Sequence, residues 1–195
     1  MSQPDEARRV RVWDPALRAF HWLLAGLVIA NWLLGQFGPN VMTLHFWLGY
    51  AILGLLLFRV VWGVVGPESA RFASFLRGPG AVAGYLRHLP RREPSHWPGH
   101  NPLGALSVVA MLAVLLAQVA TGLISDPDDF INVGPLAGQV ATATARKAVG
   151  WHNLGAQVIL VLVILHVGII LFYRLWKNED LVRPMLTGWK WVRRR

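Results

Sequence analysis

The sequence predicts an all-α fold: an integral membrane four-helix bundle with both termini in the cytoplasm. Four apolar segments are long enough to cross a bilayer, only 15% of the 195 residues are charged, and the basic residues cluster on one side of the segments. The charged fraction is well below the ~25% of ordinary soluble domains, so the composition suits lipid better than water. We expect one transmembrane domain over residues 1–195.

The predicted spans are residues 16–35, 43–65, 102–124 and 149–176. About 20 residues at ~1.5 Å per residue cross a ~30 Å hydrocarbon core, and each segment reaches that length. Asp14-Pro15 and Asn101-Pro102 precede the first and third spans as N-cap and first-turn pairs. The fourth segment is long for one crossing, so it is predicted to tilt or to extend past the bilayer.

The distribution of Lys and Arg predicts the orientation. The connection QFGPNVM (36–42) has no charge, and the connection of roughly 125–148 has only Arg146 and Lys147. The other basic residues lie near the two termini, in the loop 66–101, or at the span ends on that side. The positive-inside rule therefore places both termini and the loop 66–101 in the cytoplasm. Within this loop, PGAVAGYLRHL (79–89) predicts a short amphipathic helix in the headgroup plane or a plain connector.

Charge and cysteine content limit the partners and cofactors. The net charge is +9, but the basic residues flank apolar runs, so we expect membrane lipid and no nucleic acid as a partner. The chain has no cysteine. This excludes disulfides, thiolate-bound zinc, Cys-ligated iron–sulfur clusters and covalent c-type haem. A metal or cofactor must therefore be held by histidine or carboxylate.

Four of the seven histidines lie within the predicted spans, namely His21, His45, His152 and His166. An ionisable side chain inside a membrane helix is costly, which makes each a functional candidate. The predicted topology puts His21 and His166 toward the cytoplasm, and His45 and His152 toward the outside. We call the first two the inner pair and the last two the outer pair.

The fourth span carries one histidine of each pair. His152 and His166 are 14 residues apart. At ~100° per residue this is within ~40° of four full turns, so both rings leave the same helix face, separated by a rise of about 21 Å. His21 and His45 are predicted to face them from the first and second spans, while the third span has no histidine.

Facing imidazoles suit a planar porphyrin, because haem iron takes axial ligands above and below the ring. Two histidines per iron leave no open coordination position, which favours electron transfer over oxygen binding. Hydrogen bonding of the histidines to neighbouring helices is one alternative. Zinc is another, with only two histidines per site and the carboxylates Asp126, Asp128 and Asp129 near the outer one.

Two further residues are candidate cofactor-binding residues. Arg59 lies about one turn inside the cytoplasmic end of the second span, where its guanidinium either pairs with a haem propionate or extends to the headgroups. His100 precedes the third span. It is predicted to bond a propionate, to bind a quinone oxygen, to replace His21 as the inner ligand, or to cap the third span from a solvated loop.

Four pieces of sequence resemble a known family. RVWDPALRAFHW (11–22), HFWLGY (45–50), GHNPLGAL (99–106) and WHNLGA (151–156) followed by His166 are similar to the bacterial cytochrome b-561 family. The resemblance covers roughly 10–178, and the family includes the b-type cytochrome subunits of nickel–iron hydrogenases. It implies two haem b groups with axial ligands His21/His166 and His45/His152. It also implies electron exchange between membrane quinone and a partner redox protein.

The leading functional hypothesis is electron transfer across the bacterial inner membrane. Quinol or another low-potential donor supplies electrons, and a cytochrome c or an oxidoreductase subunit accepts them, with quinone chemistry as the only enzymatic activity. The acidic patch Asp126, Asp128 and Asp129 is expected to steer a basic partner. The alternatives are a superoxide- or metal-ion-reducing enzyme on the same scaffold and a haem-free transporter. The sequence leaves a homodimer open.

Overall fold

A computed structural model describes residues 7–93, 97 and 99–193 of the chain. The helices and strands within these residues are β1 (Ala7–Arg11), α1 (Pro15–Phe37), α2 (Thr43–Val65), α3 (Phe72–Phe75), α4 (Pro79–His88), α5 (Pro102–Ile124), a 3-10 helix (Ala137–Gln139), α6 (Thr142–Leu175), α7 (Val182–Thr187) and β2 (Trp189–Arg193).

Among the described residues, the four helices α1, α2, α5 and α6 are long and apolar enough to cross a membrane. In the most apolar 18-residue window of each helix, between 6% and 22% of the residues are buried inside the protein. Most of these apolar side chains therefore face the surroundings, where hydrocarbon accommodates them and water does not. The prediction of a mostly helical membrane protein with four spans is confirmed, whereas the two-stranded sheet of β1 and β2 was not part of the predicted all-α class.

The helix bounds match the predicted spans except at α6. That helix begins at Thr142, earlier than the predicted 149. The prediction followed apolarity, but the residues before 149 include Arg146 and Lys147, which are good helix formers. The helix therefore continues past its apolar part.

Both predicted N-caps are present. The backbone N–H of Leu17 donates to Asp14 Oδ1 at 3.0 Å, and the N–H of Gly104 donates to Asn101 Oδ1 at 2.8 Å. Each bond satisfies one of the backbone donors that the first turn of a helix leaves without a helical partner. The caps therefore fix where α1 and α5 begin.

The chain forms two compact units, and the first contains residues 1–21, 59–108 and 165–195. Its strands β1 and β2 pair antiparallel, with Ala7 opposite Arg193 and Arg11 opposite Trp189. Because strands near the two ends of the chain share one sheet, both must lie on the same side of the membrane.

A polar network in the first unit joins the C-terminal segment to the 66–101 loop. Lys177 Nζ donates to the carbonyls of Arg91 (2.9 Å) and Glu93 (3.2 Å). Lys190 Nζ forms a 2.6 Å ion pair with Glu179, which is buried. These bonds compensate charges that are largely removed from water. The amphipathic segment predicted at 79–89 is helical, as α4.

The second unit contains residues 22–58 and 109–164. Its core is formed by Ile52 and Leu56 of α2, Leu115 of α5 and Ile159 of α6. One side chain ties its two loops together: Asn132 Oδ1 accepts from the N–H of Met42 at 2.9 Å, and Asn132 Nδ2 donates to the carbonyl of Asn40 at 2.8 Å.

Candidate functional site

The outer pair lies within the second unit, with His45 on α2 and His152 on α6. The two ring centres are 5.9 Å apart and the rings are nearly perpendicular, at 77°. The Nδ1 atom of His45 donates to the carbonyl of Asn31 at 3.2 Å, and that of His152 donates to the carbonyl of Gln118 at 2.9 Å. A carbonyl only accepts, so the proton sits on Nδ1 and each Nε2 keeps its lone pair.

A cavity of about 210 Å³ is lined by both of these rings. Its lining includes the side chains of Asn31, Trp32 and Gln118. Asn31 Oδ1, Trp32 Nε1 and Gln118 Oε1 are buried and have no hydrogen-bond partner within the described residues. Buried polar atoms are nearly always paired in folded proteins, so this cavity is suited to a bound group that supplies contacts.

The inner pair lies within the first unit, with His21 on α1 and His166 on α6. Its ring centres are 6.3 Å apart at an interplanar angle of 49°. The structure therefore brings together the same two pairs of histidines that the predicted topology selected.

Both separations fit a metal ion between the rings. A metal–imidazole bond of about 2 Å on each side, plus about 1 Å from nitrogen to ring centre, separates the ring centres by about 6 Å. The measured values of 5.9 and 6.3 Å agree with this estimate. A neutral imidazole with a free Nε2 is also the donor that haem iron accepts. The histidines therefore fit bis-histidine ligation of haem.

Arg59 lies in the first unit and is only 2% exposed. Its guanidinium lies 4.4 Å from the centre of the Phe72 ring, a cation–π contact. One guanidinium nitrogen, Nη1, is buried with no hydrogen-bond partner in the described part of the chain. The side chain therefore stays inside the protein, and its predicted extension to the headgroups is not observed.

His100 packs between two aromatic rings. Its ring centre is 4.6 Å from that of Trp13 and 5.0 Å from that of Phe75. Burial, with smaller contributions from Arg59, His166 and His21, lowers the pKa of His100 to about 4. The prediction that His100 caps the third span from a solvated loop is wrong, because the cap bond comes from Asn101 and the ring is partly buried against two aromatic side chains.

The acidic patch is part of the loop scaffold. Asp128 forms a 2.9 Å ion pair with Arg146, and Asp129 accepts the backbone N–H groups of Ile131 and Asn132. Across residues 7–93, 97 and 99–193, no group of three His, Cys, Asp or Glu side chains is placed to hold a metal ion. The carboxylates of Asp128 and Asp129 are thus engaged by Arg146 and by the loop backbone.

Sequence reasoning missed the groups that orient the outer histidines. The acceptors are the backbone carbonyls of Asn31 on α1 and Gln118 on α5. Backbone acceptors leave no residue-type signal, although an amide side chain in the middle of an apolar span is itself unusual. Helix α5 has no histidine, yet it positions one that lies on α6.

Four apolar spans and two facing histidine pairs define a membrane protein that can bind metal cofactors within a helix bundle. The family model for prokaryotic cytochrome b561 matches residues 12–188, and the chain belongs to this family. No solved structure matches the chain significantly.

Curated relatives agree with the family. A probable Ni/Fe-hydrogenase B-type cytochrome subunit from Azotobacter vinelandii is 29% identical over 93% of this chain and 88% of the relative. A probable Ni/Fe-hydrogenase 1 B-type cytochrome subunit from Escherichia coli O157:H7 is 23% identical over 92% of this chain and 89% of the relative. A probable Ni/Fe-hydrogenase B-type cytochrome subunit from Rhizobium leguminosarum bv. viciae is 24% identical over 94% of this chain and 89% of the relative.

The chain is therefore a membrane b-type cytochrome that functions in electron transfer, with haem b as its cofactor. Its four apolar spans make it a multi-pass protein of the bacterial inner membrane.

Proposed function

We propose that this chain binds two haem b groups and transfers electrons across the inner membrane, between the quinone pool and a partner redox protein. His21 and His166 hold one haem on the cytoplasmic side, and His45 and His152 hold the other on the outer side. When bound, each haem supplies a one-electron carrier. The chain acts as one transmembrane domain over residues 1–195.

The observation that carries this proposal is that the two imidazole rings of each histidine pair lie about 6 Å apart on different helices. Ring separations of 6.3 and 5.9 Å fit one iron between each pair. The hydrogen bonds of His45 and His152 to backbone carbonyls support it, because they leave Nε2 free to bind and make each imidazole a stronger donor.

The cytoplasmic location of both termini is supported by two independent features. Strands β1 and β2 pair, so the chain segments near the termini share one side. That side carries the basic residues outside the spans, except for Arg146 and Lys147, and the positive-inside rule assigns it to the cytoplasm.

Arg59 and His100 complete the inner site. A buried guanidinium with an unpaired nitrogen is strongly stabilised by a carboxylate, so Arg59 is suited to a haem propionate. His100 is uncharged at neutral pH because its pKa is about 4. Its N–H can therefore donate a hydrogen bond to a propionate or a quinone oxygen without adding a charge.

The partner is a redox protein, either an oxidoreductase subunit or a cytochrome c. The relatives named as hydrogenase cytochrome subunits support an oxidoreductase. The exposed loop with Asp126, Asp128 and Asp129 favours a partner with a basic face. Because Arg146 pairs with Asp128, the charge available to that partner is smaller than the three carboxylates suggest.

The test is haem analysis and redox kinetics of the purified full-length protein. We expect two haem b groups per chain, a b-type α-band after reduction by a quinol analogue, and faster reoxidation by a redox protein than by superoxide or ferric chelates. A colourless folded protein would support a transporter instead. Fastest reoxidation by superoxide or ferric chelates would support the reducing-enzyme alternative.

A further inference from the structure

The two helices that orient the outer histidines share a five-residue arrangement. On α1 it is Asn31 to Gly35 (NWLLG), and on α5 it is Gln118 to Gly122 (QVATG). In both, the carbonyl of the first residue accepts the Nδ1–H of a histidine on another helix. The glycine comes four residues later, one helical turn away.

The spacing of four residues has a physical reason. In an α-helix the carbonyl of residue i already accepts the N–H of residue i+4. A histidine that uses the second lone pair of that carbonyl must therefore approach beside residue i+4. A side chain at i+4 occupies part of this approach.

The two glycines leave different amounts of room. A Cβ atom on Gly122 would lie 2.9 Å from Cε1 and 3.2 Å from Nδ1 of His152, so the ring would have to shift. A Cβ atom on Gly35 would lie 3.4 Å from Cε1 and 3.7 Å from Nδ1 of His45, which is close to ordinary contact. The outer histidines therefore depend on the two glycines to different degrees.

We propose that Gly122, and more weakly Gly35, are positioning residues for the outer haem. Each clears the helix surface so that a backbone carbonyl fixes the tautomer and the ring orientation of the histidine ligand. This inference rests on the proposed function, in which His45 and His152 hold a haem.

The chemical consequence is a property of the outer haem alone. A carbonyl that accepts Nδ1–H makes the imidazole a stronger electron donor, which favours the oxidised iron. Displacing His152 from the Gln118 carbonyl should therefore weaken haem binding and raise the midpoint potential of that haem. The inner haem, held by His21 and His166, serves as a control within the same molecule.

The experiment compares Gly122→Ala and Gly35→Ala with two control substitutions in the purified full chain. Gly54→Ala and Gly150→Ala are the controls, because these glycines are exposed and an added Cβ would meet no atom within 4 Å. Haem retention, the potentiometric titration and the low-spin electron paramagnetic resonance signals are measured for each. The His152→Ala protein identifies which signals belong to the outer haem.

For Gly122→Ala we expect the outer haem to bind about 10–100-fold more weakly, the loss typical when an outer-shell partner is removed. Its potential should rise and its resonance signal should shift, while the inner signals stay unchanged. Gly35→Ala should give a smaller change in the same direction, and the controls none. If Gly122→Ala fails to fold, the comparison of Gly35→Ala with Gly54→Ala still tests the positioning role.

Two outcomes are distinguishable. If the wild-type protein binds two haems but the Gly122 and Gly35 variants match the controls, the positioning role is overturned and the proposed function stands. If the wild-type protein does not bind two haems, or His152→Ala removes none, the proposed function itself fails.

Discussion

The inner and outer histidine pairs have similar ring separations but different surroundings. The outer rings are held by backbone carbonyls on α1 and α5, beside glycines. The inner pair lies in a unit that also contains the buried charges Asp14 and Arg59 and the partly buried ring of His100.

This difference shows two ways to define a site within apolar helices. Backbone carbonyls orient a ligand without adding a formal charge, which suits a cavity lined by uncharged side chains. Buried charges act over longer distances and change the energy of any redox group nearby, because the surrounding dielectric constant is low. The outer site should thus be sensitive to geometry, and the inner site to charge.

The largest expected effect is the complete loss of one haem without loss of the other. His152→Ala should remove the outer haem and leave the inner one, and His166→Ala should do the reverse. Each variant should contain half the haem of the wild-type protein, measured per chain after extraction. Retention of both haems by either variant would mean that the ligand pairs are assigned wrongly.

A smaller effect is expected from the buried charge near the inner pair. Arg59→Gln removes a cation, so the inner haem should become harder to reduce. An interaction of about 1 kcal/mol corresponds to about 40 mV for one electron. Potentiometric titration should show a lower midpoint potential for one haem only. Arg87→Gln, an exposed change on α4, is the control and should alter neither potential.

The last expected effect concerns acid stability and leaves the haem content unchanged. The pKa of His100 is about 4 in the folded chain and about 6.5 when unfolded. Between these values the unfolded chain binds the extra proton, so stability falls as pH decreases from 6.5 to 4. His100→Gln should reduce this loss in thermal unfolding experiments.

The exposed His88 provides the matched control for the acid experiment. Its ring bonds the carbonyl of Gly84 at 2.8 Å on the surface of α4. His88→Gln controls for the loss of a histidine side chain at the surface. An equal response of the two variants would show that His100 is not the titrating group.

Much of the fold was predictable from local sequence. The bounds of α2 and α5 agree with the predicted spans because apolar length sets where a helix can cross a bilayer. The caps at Asp14 and Asn101 were predictable because each needs only a bond to a residue three positions away. The start of α6 was not, since its first turns are not apolar.

The sequence by itself determined where the four long apolar helices lie and predicted the depth of each histidine, because hydropathy and loop charge are local properties. Only the tertiary structure decided that carbonyls of Asn31 and Gln118 orient the outer rings, that Arg59 is buried against Phe72, and that His100 packs against Trp13 and Phe75. These contacts join residues distant in the chain. They depend on helix rotation and spacing to within about 1 Å, which no local pattern encodes.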